Sequence, residues 1–168
     1  MASKQDESSI RILGGGGKVE ADDLDLAILR SLAKQARISL VSLSSSLGKS
    51  PETISHRIKQ LEKSGVIQGY RAMIDISKLG MEHYKVDVRL RSMKQFKRLL
   101  SYCHFDPNIY QVNRTIGGET LEIEFQVKSL QELRAKLEQF ESDFPGTIER
   151  YDYFVIFQEL KVTYMPDE

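Results

Sequence analysis

The sequence predicts an α+β chain built in two parts, and three observations carry that prediction. Between residues 21 and 68, apolar positions recur at helical spacing in three short runs, each with its own start or stop signals. From residue 81 onward, tracts of apolar–polar alternation interleave with two further helical runs. A length of 168 residues with 40% hydrophobic content allows one large domain or two small ones with packed cores.

In the first part, Asp22 or Asp23 can cap a helix striped by Leu24, Ile28, Leu29 and Leu32. Ser39 opens a second helix with Leu40, Leu43 and Leu47 on one face, and Leu47-Gly48-Lys49-Ser50 leads tightly into a third. There Ser50 can accept the first free amide, Pro51 occupies the position where a missing N–H costs nothing, and Gly65 can take the left-handed exit. Two short helices joined by such a turn, after a supporting first helix, make a helix-turn-helix. The third helix has a thin apolar share, with only Ile54, Ile58 and Leu61 in its stripe. Glu52, His56, Lys59 and Lys63 point the opposite way, flanked by Thr53, Ser55 and Gln60, so this wide polar face is either solvated surface or a surface that reads a partner. Val66 to Ile74 is short and β-like, expected as a rudimentary wing leading into a hinge strand, and Ser77-Lys78-Leu79-Gly80 closes the segment.

In the second part, Tyr84, Val86, Val88 and Leu90 alternate with Lys85, Asp87, Arg89 and Arg91, the pattern of a half-buried strand. Ser92 with Gln95 reads as a capping box for a helix striped by Met93, Phe96, Leu100 and Cys103. A strand from Ile109 to Ile116 follows, then a Gly117-Gly118 hairpin turn into Leu121, Ile123, Phe125 and Val127. Ser129 with Glu132 is a second capping box, for a helix burying Leu130, Leu133, Leu137, Phe140 and Phe144, which Pro145-Gly146 ends. Tyr151 to Phe157 is apolar or aromatic on both faces. The order β-α-β-β-α-β is the ferredoxin-like arrangement. One face of its sheet is covered by its own helices, so the second apolar face of the last strand, with Tyr84 to Leu90, is expected to be covered by self-association.

The expected organisation is therefore a flexible tail over 1–20, a helix-turn-helix domain over 21–68, a hinge strand or linker over 69–80 and a ferredoxin-like domain over 81–168. Composition narrows the function. Net charge is zero over the whole chain, but residues 22–75 carry eight Lys/Arg against six Asp/Glu, a net of +2. Residues 76–168 carry thirteen against fifteen, a net of −2, which favours the first part for an anionic partner. A single cysteine excludes an internal disulfide and suits a reducing compartment, and Cys103 falls on a buried stripe where packing is its expected role. No apolar run approaches the ~20 residues that span a membrane, and the N-terminus lacks a signal-peptide core. Gly14 to Gly17 follow no strand and precede no Gly-Lys-Ser/Thr, so they read as tail rather than phosphate cradle. No cofactor, metal-ligating or catalytic set is expected.

Several of these residues carry a family resemblance. Asp22-Asp23-Leu24-Asp25-Leu26-Ala27-Ile28-Leu29 resembles the opening "L-D-x-x-D-x-x-I-L" of the Lrp/AsnC transcription regulators, with Ala21 in place of the leucine. Ala36-Arg37-Ile38-Ser39 resembles their "a-R-i-s" joint. Ser50-Pro51, Arg57-Ile58, Leu61-Glu62, Gly65-Val66-Ile67 and Gly69-Tyr70 match "S-x-x-x-v-x-x-R-i-x-x-L-e-x-x-G-v-I-x-g-y" at the right spacing, and Asp75 and Leu79-Gly80 extend the match. The resemblance is dense over 21–80, whereas over 81–168 only the order of elements agrees. It implies a winged helix-turn-helix followed by a RAM-type effector domain. It implies a cytoplasmic, prokaryotic regulator that binds double-stranded DNA, forms a homodimer or higher oligomer, and often senses an amino acid.

A helix in second place in a helix-turn-helix lies in the major groove with its first turns toward the bases. Glu52, Thr53, Ser55 and His56 are accordingly the expected base-reading residues, with hydroxyls, an imidazole and a carboxylate that can accept from a cytosine amino group. Lys49, Ser50, Arg57, Lys59 and Arg71 are expected at phosphates, which supply affinity without sequence information. Glu52 can equally serve the positive end of the helix dipole, and His56 can be an idle exposed residue. Arg57, about 60° from the apolar stripe, can equally form a structural ion pair. The family's effector loop commonly reads "G-D-Y-D"; here it is Gly117-Gly118-Glu119-Thr120, with both aspartates absent. Glu119 could replace them as partner to a ligand ammonium, or the segment could simply be a tight turn. Two other classes fit the layout. One is a weakly specific DNA-coating protein. The other is an enzyme resembling siroheme decarboxylases, though His56, His83 and His104 lie in different elements and the "H-N-Y-x-R" type motif has no counterpart.

Overall fold

The computed structural model describes residues 13, 14 and 16–166. Most of the expected tail over 1–20 lies outside the described residues. The chain divides into two units, one running to Met73 and taking in the residues from Lys161, the other from Ile74 to Leu160. Neither boundary is that of the expected 81–168 segment.

The first unit holds α1 (Asp23–Lys34), α2 (Leu40–Leu47) and α3 (Pro51–Lys63). Asp22 caps α1 by accepting from the Asp25 amide at 2.9 Å, and the Asp25 carboxylate accepts from the Asp22 amide at 3.3 Å. Two aspartates thus make the reciprocal box usually built from a hydroxyl and a glutamate. Ser39 caps α2 and Ser50 caps α3, with Pro51 at the first helical position. Gly48 ends α2 at φ +63°, a left-handed conformation that favours glycine. Ile28, Leu43, Ile54 and Leu61 form the core, with Leu24, Leu29, Leu32, Ile38, Leu47, Ile58 and Ile67 packed around it. Leu40 does not join its expected face: it lies in the first turn of α2 and stays 42% exposed, while Leu43 and Ser44 are buried.

The expected wing and hinge strand over Val66–Ile74 form no strand. An extended segment becomes a strand only with a ladder partner, and the sheet among the described residues takes none of its strands from this region. The Val66 and Ile67 amides both donate to the Leu61 carbonyl, at 2.9 and 3.1 Å, and the chain then runs on with Tyr70, Met73 and Ile74 exposed.

The second unit opens with a short 3-10 turn (Ile76–Leu79) capped by Asp75. It continues as β1 (Glu82–Leu90), α4 (Phe96–Phe105), β2 (Ile109–Arg114), β3 (Leu121–Val127), α5 (Leu130–Asp143) and β4 (Ile148–Val155). The sheet order is β2-β3-β1-β4 with every neighbouring pair antiparallel. Tyr84, Val86 and Val88 of β1 and Leu121, Ile123, Phe125 and Val127 of β3 are buried with Leu99 and Cys103 of α4 and Leu133, Leu137 and Phe140 of α5. The Tyr84–Leu90 stripe is thus covered by the unit's own helices, contrary to expectation. The opposite face, reached by alternation, carries His83, Lys85, Asp87 and Arg89.

Several boundaries move. Helix α4 starts at Phe96, not near Ser92: the Ser92 hydroxyl accepts from the Lys94 amide, and the Gln95 amide group donates to Thr147 Oγ1 at 3.1 Å. The capping box there is therefore absent, and Met93 is left exposed outside the helix. At α5, Ser129 accepts from the Glu132 amide, but the Glu132 carboxylate accepts from Lys128, one residue before the cap. β2 stops at Arg114 and leaves Ile116 fully exposed. β4 ends before Phe157; of the expected strand Tyr151–Phe157, Tyr151 and Tyr153 pack on the core, while Phe154, Val155 and Phe157 are exposed. Among the described residues no helix is long and apolar enough to cross a membrane.

Both cores rest on fully buried aliphatics. Ile54→Ala and Leu133→Ala should each cost about 2–5 kcal/mol, read as lowered midpoints in urea unfolding followed by circular dichroism.

Candidate nucleic-acid interface and effector turn

Helix α3 turns Ile54 and Leu61 inward and leaves Glu52, Thr53, His56 and Lys59 exposed, with Ser55 half-buried beside them. Ser50 Oγ accepts from the Thr53 amide at 3.2 Å and lies 3.1 Å from Thr53 Oγ1, so these hydroxyls hold the helix start as well as facing outward. The Glu52 carboxyl sits below its ordinary range, chiefly through its own backbone amide and then through the Ser50 hydroxyl. The helix N-terminus thus uses the charge of Glu52. Lys49 is exposed in the turn before α3, and Arg71 is exposed in the irregular segment after it.

Arg57 has the structural alternative of its two readings. Its guanidinium lies 2.9 Å from Asp22 Oδ2 and 3.2 Å from Asp25 Oδ2, tying α3 to the start of α1. Asp25 is the more enclosed partner, with its side chain 11% exposed. The Asp22 carboxyl is held below its usual range first by the Asp25 amide and, against the opposing effect of desolvation, by Arg57. Of the two readings of Arg57, the ion pair is the one formed within the chain itself. The sequence signal was the offset of Arg57 from the apolar stripe; Asp25, which entered only through the family opening, gave none as its partner.

The turn over residues 115–120 is tightly held. Gly117 takes φ +93°, the Thr115 hydroxyl donates to the Glu119 carbonyl, and the Thr120 amide donates to the Val88 carbonyl at 2.9 Å. Thr120 Oγ1 accepts from the Leu90 amide at 3.1 Å. Glu119, the expected partner for a ligand ammonium, is occupied at both oxygens: Arg89 Nε donates to Oε2 at 2.8 Å and Arg150 Nη2 to Oε1 at 2.6 Å. Arg150 first, then Arg89, keeps the Glu119 carboxyl below its ordinary range. Gly118 has open space around it, so no close approach demands a glycine there.

The three histidines remain apart in sequence elements: His56 on α3, His83 on β1 and His104 on α4. His83 is the enclosed one, with Nε2 2.8 Å from Glu124 Oε2 and 3.0 Å from the Tyr110 hydroxyl, and Nδ1 3.5 Å from Glu159. Cys103 lies in the core, and burial pushes its thiol up to about 12.

A three-helix unit whose last helix buries a narrow strip and presents a broad polar face is a DNA-binding helix-turn-helix, and the family of winged helix-turn-helix DNA-binding domains matches residues 22–68. An uncharacterised HTH-type transcriptional regulator of Pyrococcus furiosus is 49% identical over 59 residues, which span 35% of this chain and 38% of that relative. Regulatory protein AsnC of Haemophilus influenzae is 28% identical across 69% of this chain and 78% of its own length. The structure of LrpC of Bacillus subtilis superposes with a TM-score of 0.70 at 27% identity, covering 85% of this chain and 99% of that one. Over residues 22–68 the chain thus carries a winged helix-turn-helix DNA-binding domain, and over its greater length it is similar to regulators of the AsnC and LrpC type.

Losing the Arg57 guanidinium leaves Asp25 without its partner. Arg57→Ala should destabilise the first unit by about 1–3 kcal/mol, and adding Asp25→Asn should restore part of the loss in thermal melts.

Proposed function

We propose that this chain is a transcriptional regulator of Lrp/AsnC type that reads double-stranded DNA sequence-specifically through α3. The carrying observation is the outward set Glu52, Thr53, Ser55 and His56 on the first turns of a helix anchored from behind by Ile54, Leu61 and the Arg57 ion pair. Side chains of this kind can discriminate base edges in the major groove. Lys49 and Lys59, exposed and without an ion-pair partner among the described residues, serve the phosphates, as does Arg71. Ser50 keeps its capping role while its position at the amide end of α3 also suits a phosphate oxygen.

The protein acts as a homodimer or higher oligomer in the cytoplasm. Two surfaces support this reading, each on its own unit. The irregular segment after α3 leaves the apolar side chains of Tyr70 and Met73 exposed. The edge strand β4 leaves Phe154 and Val155 exposed. An amino-acid effector at Gly117, Gly118, Glu119 and Thr120 would find the one acid of the turn already bound to two guanidiniums. DNA binding is therefore constitutive or answers to a ligand of another kind.

Binding-site selection with purified variants tests the readout. Thr53→Ala and His56→Ala should each lose about 1–3 kcal/mol of discrimination between sequences, while Lys59→Ala should weaken all sequences alike and lower the salt slope by about one. Unchanged preference and affinity across the three would refute the assignment of α3. Light scattering at low micromolar concentration should give at least twice the chain mass of 19.2 kDa; a monomer would refute self-association.

A further inference from the structure

Arg89 of β1 and Arg150 of β4 are direct cross-strand partners. Like charges placed opposite each other on antiparallel strands repel, and such a pair persists where something between them carries the opposite sign. Here that is the Glu119 carboxylate, delivered from the turn before β3, with one oxygen on each arginine at 2.8 and 2.6 Å. The arrangement uses one N–H of each guanidinium. Each guanidinium has five donors, and no other hydrogen bond to either side chain occurs among the described residues. Arg89 and Arg150 are 41% and 57% exposed, so the remaining donors are open to solvent, whereas Glu119 is 16% exposed. Three parts of the fold therefore converge on a carboxylate held by a two-arginine fork, with room for solvent on the arginine side.

We propose that Arg89 and Arg150 form a binding site for a small carboxylate ligand, and that Glu119 is its built-in competitor, holding the 115–120 turn closed until a free carboxylate displaces it. The geometry sets the chemical class. The fork matches a planar carboxylate, which guanidinium groups bind through paired charge-assisted hydrogen bonds. A ligand ammonium beside that carboxylate would face two positive groups, so the preferred ligand carries a second carboxylate or none, rather than an amine. Displacement frees Glu119 and loosens a turn whose other ties are the Thr115 and Thr120 bonds to backbone. The inference deepens the proposal that the turn answers to a ligand other than a free amino acid. It is read without DNA, so its failure leaves the DNA-reading assignment untouched.

Isothermal titration of the full-length protein with succinate at low ionic strength compares the wild type, Glu119→Gln, and Glu119→Gln combined with Arg150→Gln. Removing the internal competitor should tighten succinate binding about tenfold or more, and the second substitution should abolish that gain. Equal affinity in the wild type and Glu119→Gln, or a gain that survives Arg150→Gln, overturns the proposal. A second measurement needs no variant. In the wild type, high succinate should speed amide hydrogen exchange at residues 117–120 beyond the effect of sodium chloride at equal ionic strength, and equal acceleration by both salts overturns it.

Discussion

The narrowness of what α3 buries governs the first unit. A helix that offers its polar face to a partner keeps only a thin strip for the core, here Ile54 and Leu61 with Ile58 at the margin. Hydrophobic burial is non-directional, and a strip this thin resists rolling about the helix axis less than a wide face does. The missing restraint comes from Arg57, whose guanidinium spans Asp22 and Asp25 at the opposite helix start. The same two aspartates close the reciprocal cap of α1, so one cluster of three side chains both starts α1 and sets the rotation of α3. The apolar strip holds α3 against the core, and the ion pair defines which residues look outward.

The second unit meets a different constraint. Its four strands are covered on one side only, by α4 and α5, so the other side is a field of charges whose positions follow from register. Asp87 of β1 lies opposite Glu122 of β3 and Asp152 of β4, an acidic row across three strands. Lys85 relieves it, 2.9 Å from Glu122 and 3.3 Å from Asp87, the second contact being an ion pair without hydrogen-bond alignment. The next row on the same face joins Arg89 to Arg150, with Glu119 between them. Rows of like sign, each neutralised by a neighbour of the other sign, give this sheet face its specificity, with Phe154 exposed beside them opposite Lys85.

Much of this was legible in the residues. Ser39, Ser50 and Ser129 cap the helices they were expected to cap, because a hydroxyl facing free amides is a local signal that needs no tertiary information. The alternation of β1 and β3 gave the correct buried sets, since a strand packed on one side obeys a period of two. Errors arose where a residue had a distant competitor. Gln95 was read as half of a box, yet its amide is engaged by Thr147, fifty-two positions away in sequence. Val66–Ile74 has strand-like composition, but composition cannot provide the neighbour that a ladder requires. Glu119 was read as a possible partner for a ligand ammonium or as part of a tight turn, because its two arginines come from β1 and β4, which only the assembled sheet brings together.

Gly48 sets the thermodynamics of the connection between α2 and α3. Its left-handed conformation ends α2, the Lys49 amide then bonds back to the Ser44 carbonyl at 3.1 Å, and Ser50 already caps the next helix. Only Gly48, Lys49 and Ser50 separate the two helices, and each is held in a turn or cap. A connection this short has almost no conformational freedom left to lose. The entropy of ordering α3 is therefore spent when the chain folds and not when a partner arrives, which is the preorganisation that lets a small contact surface bind with useful strength.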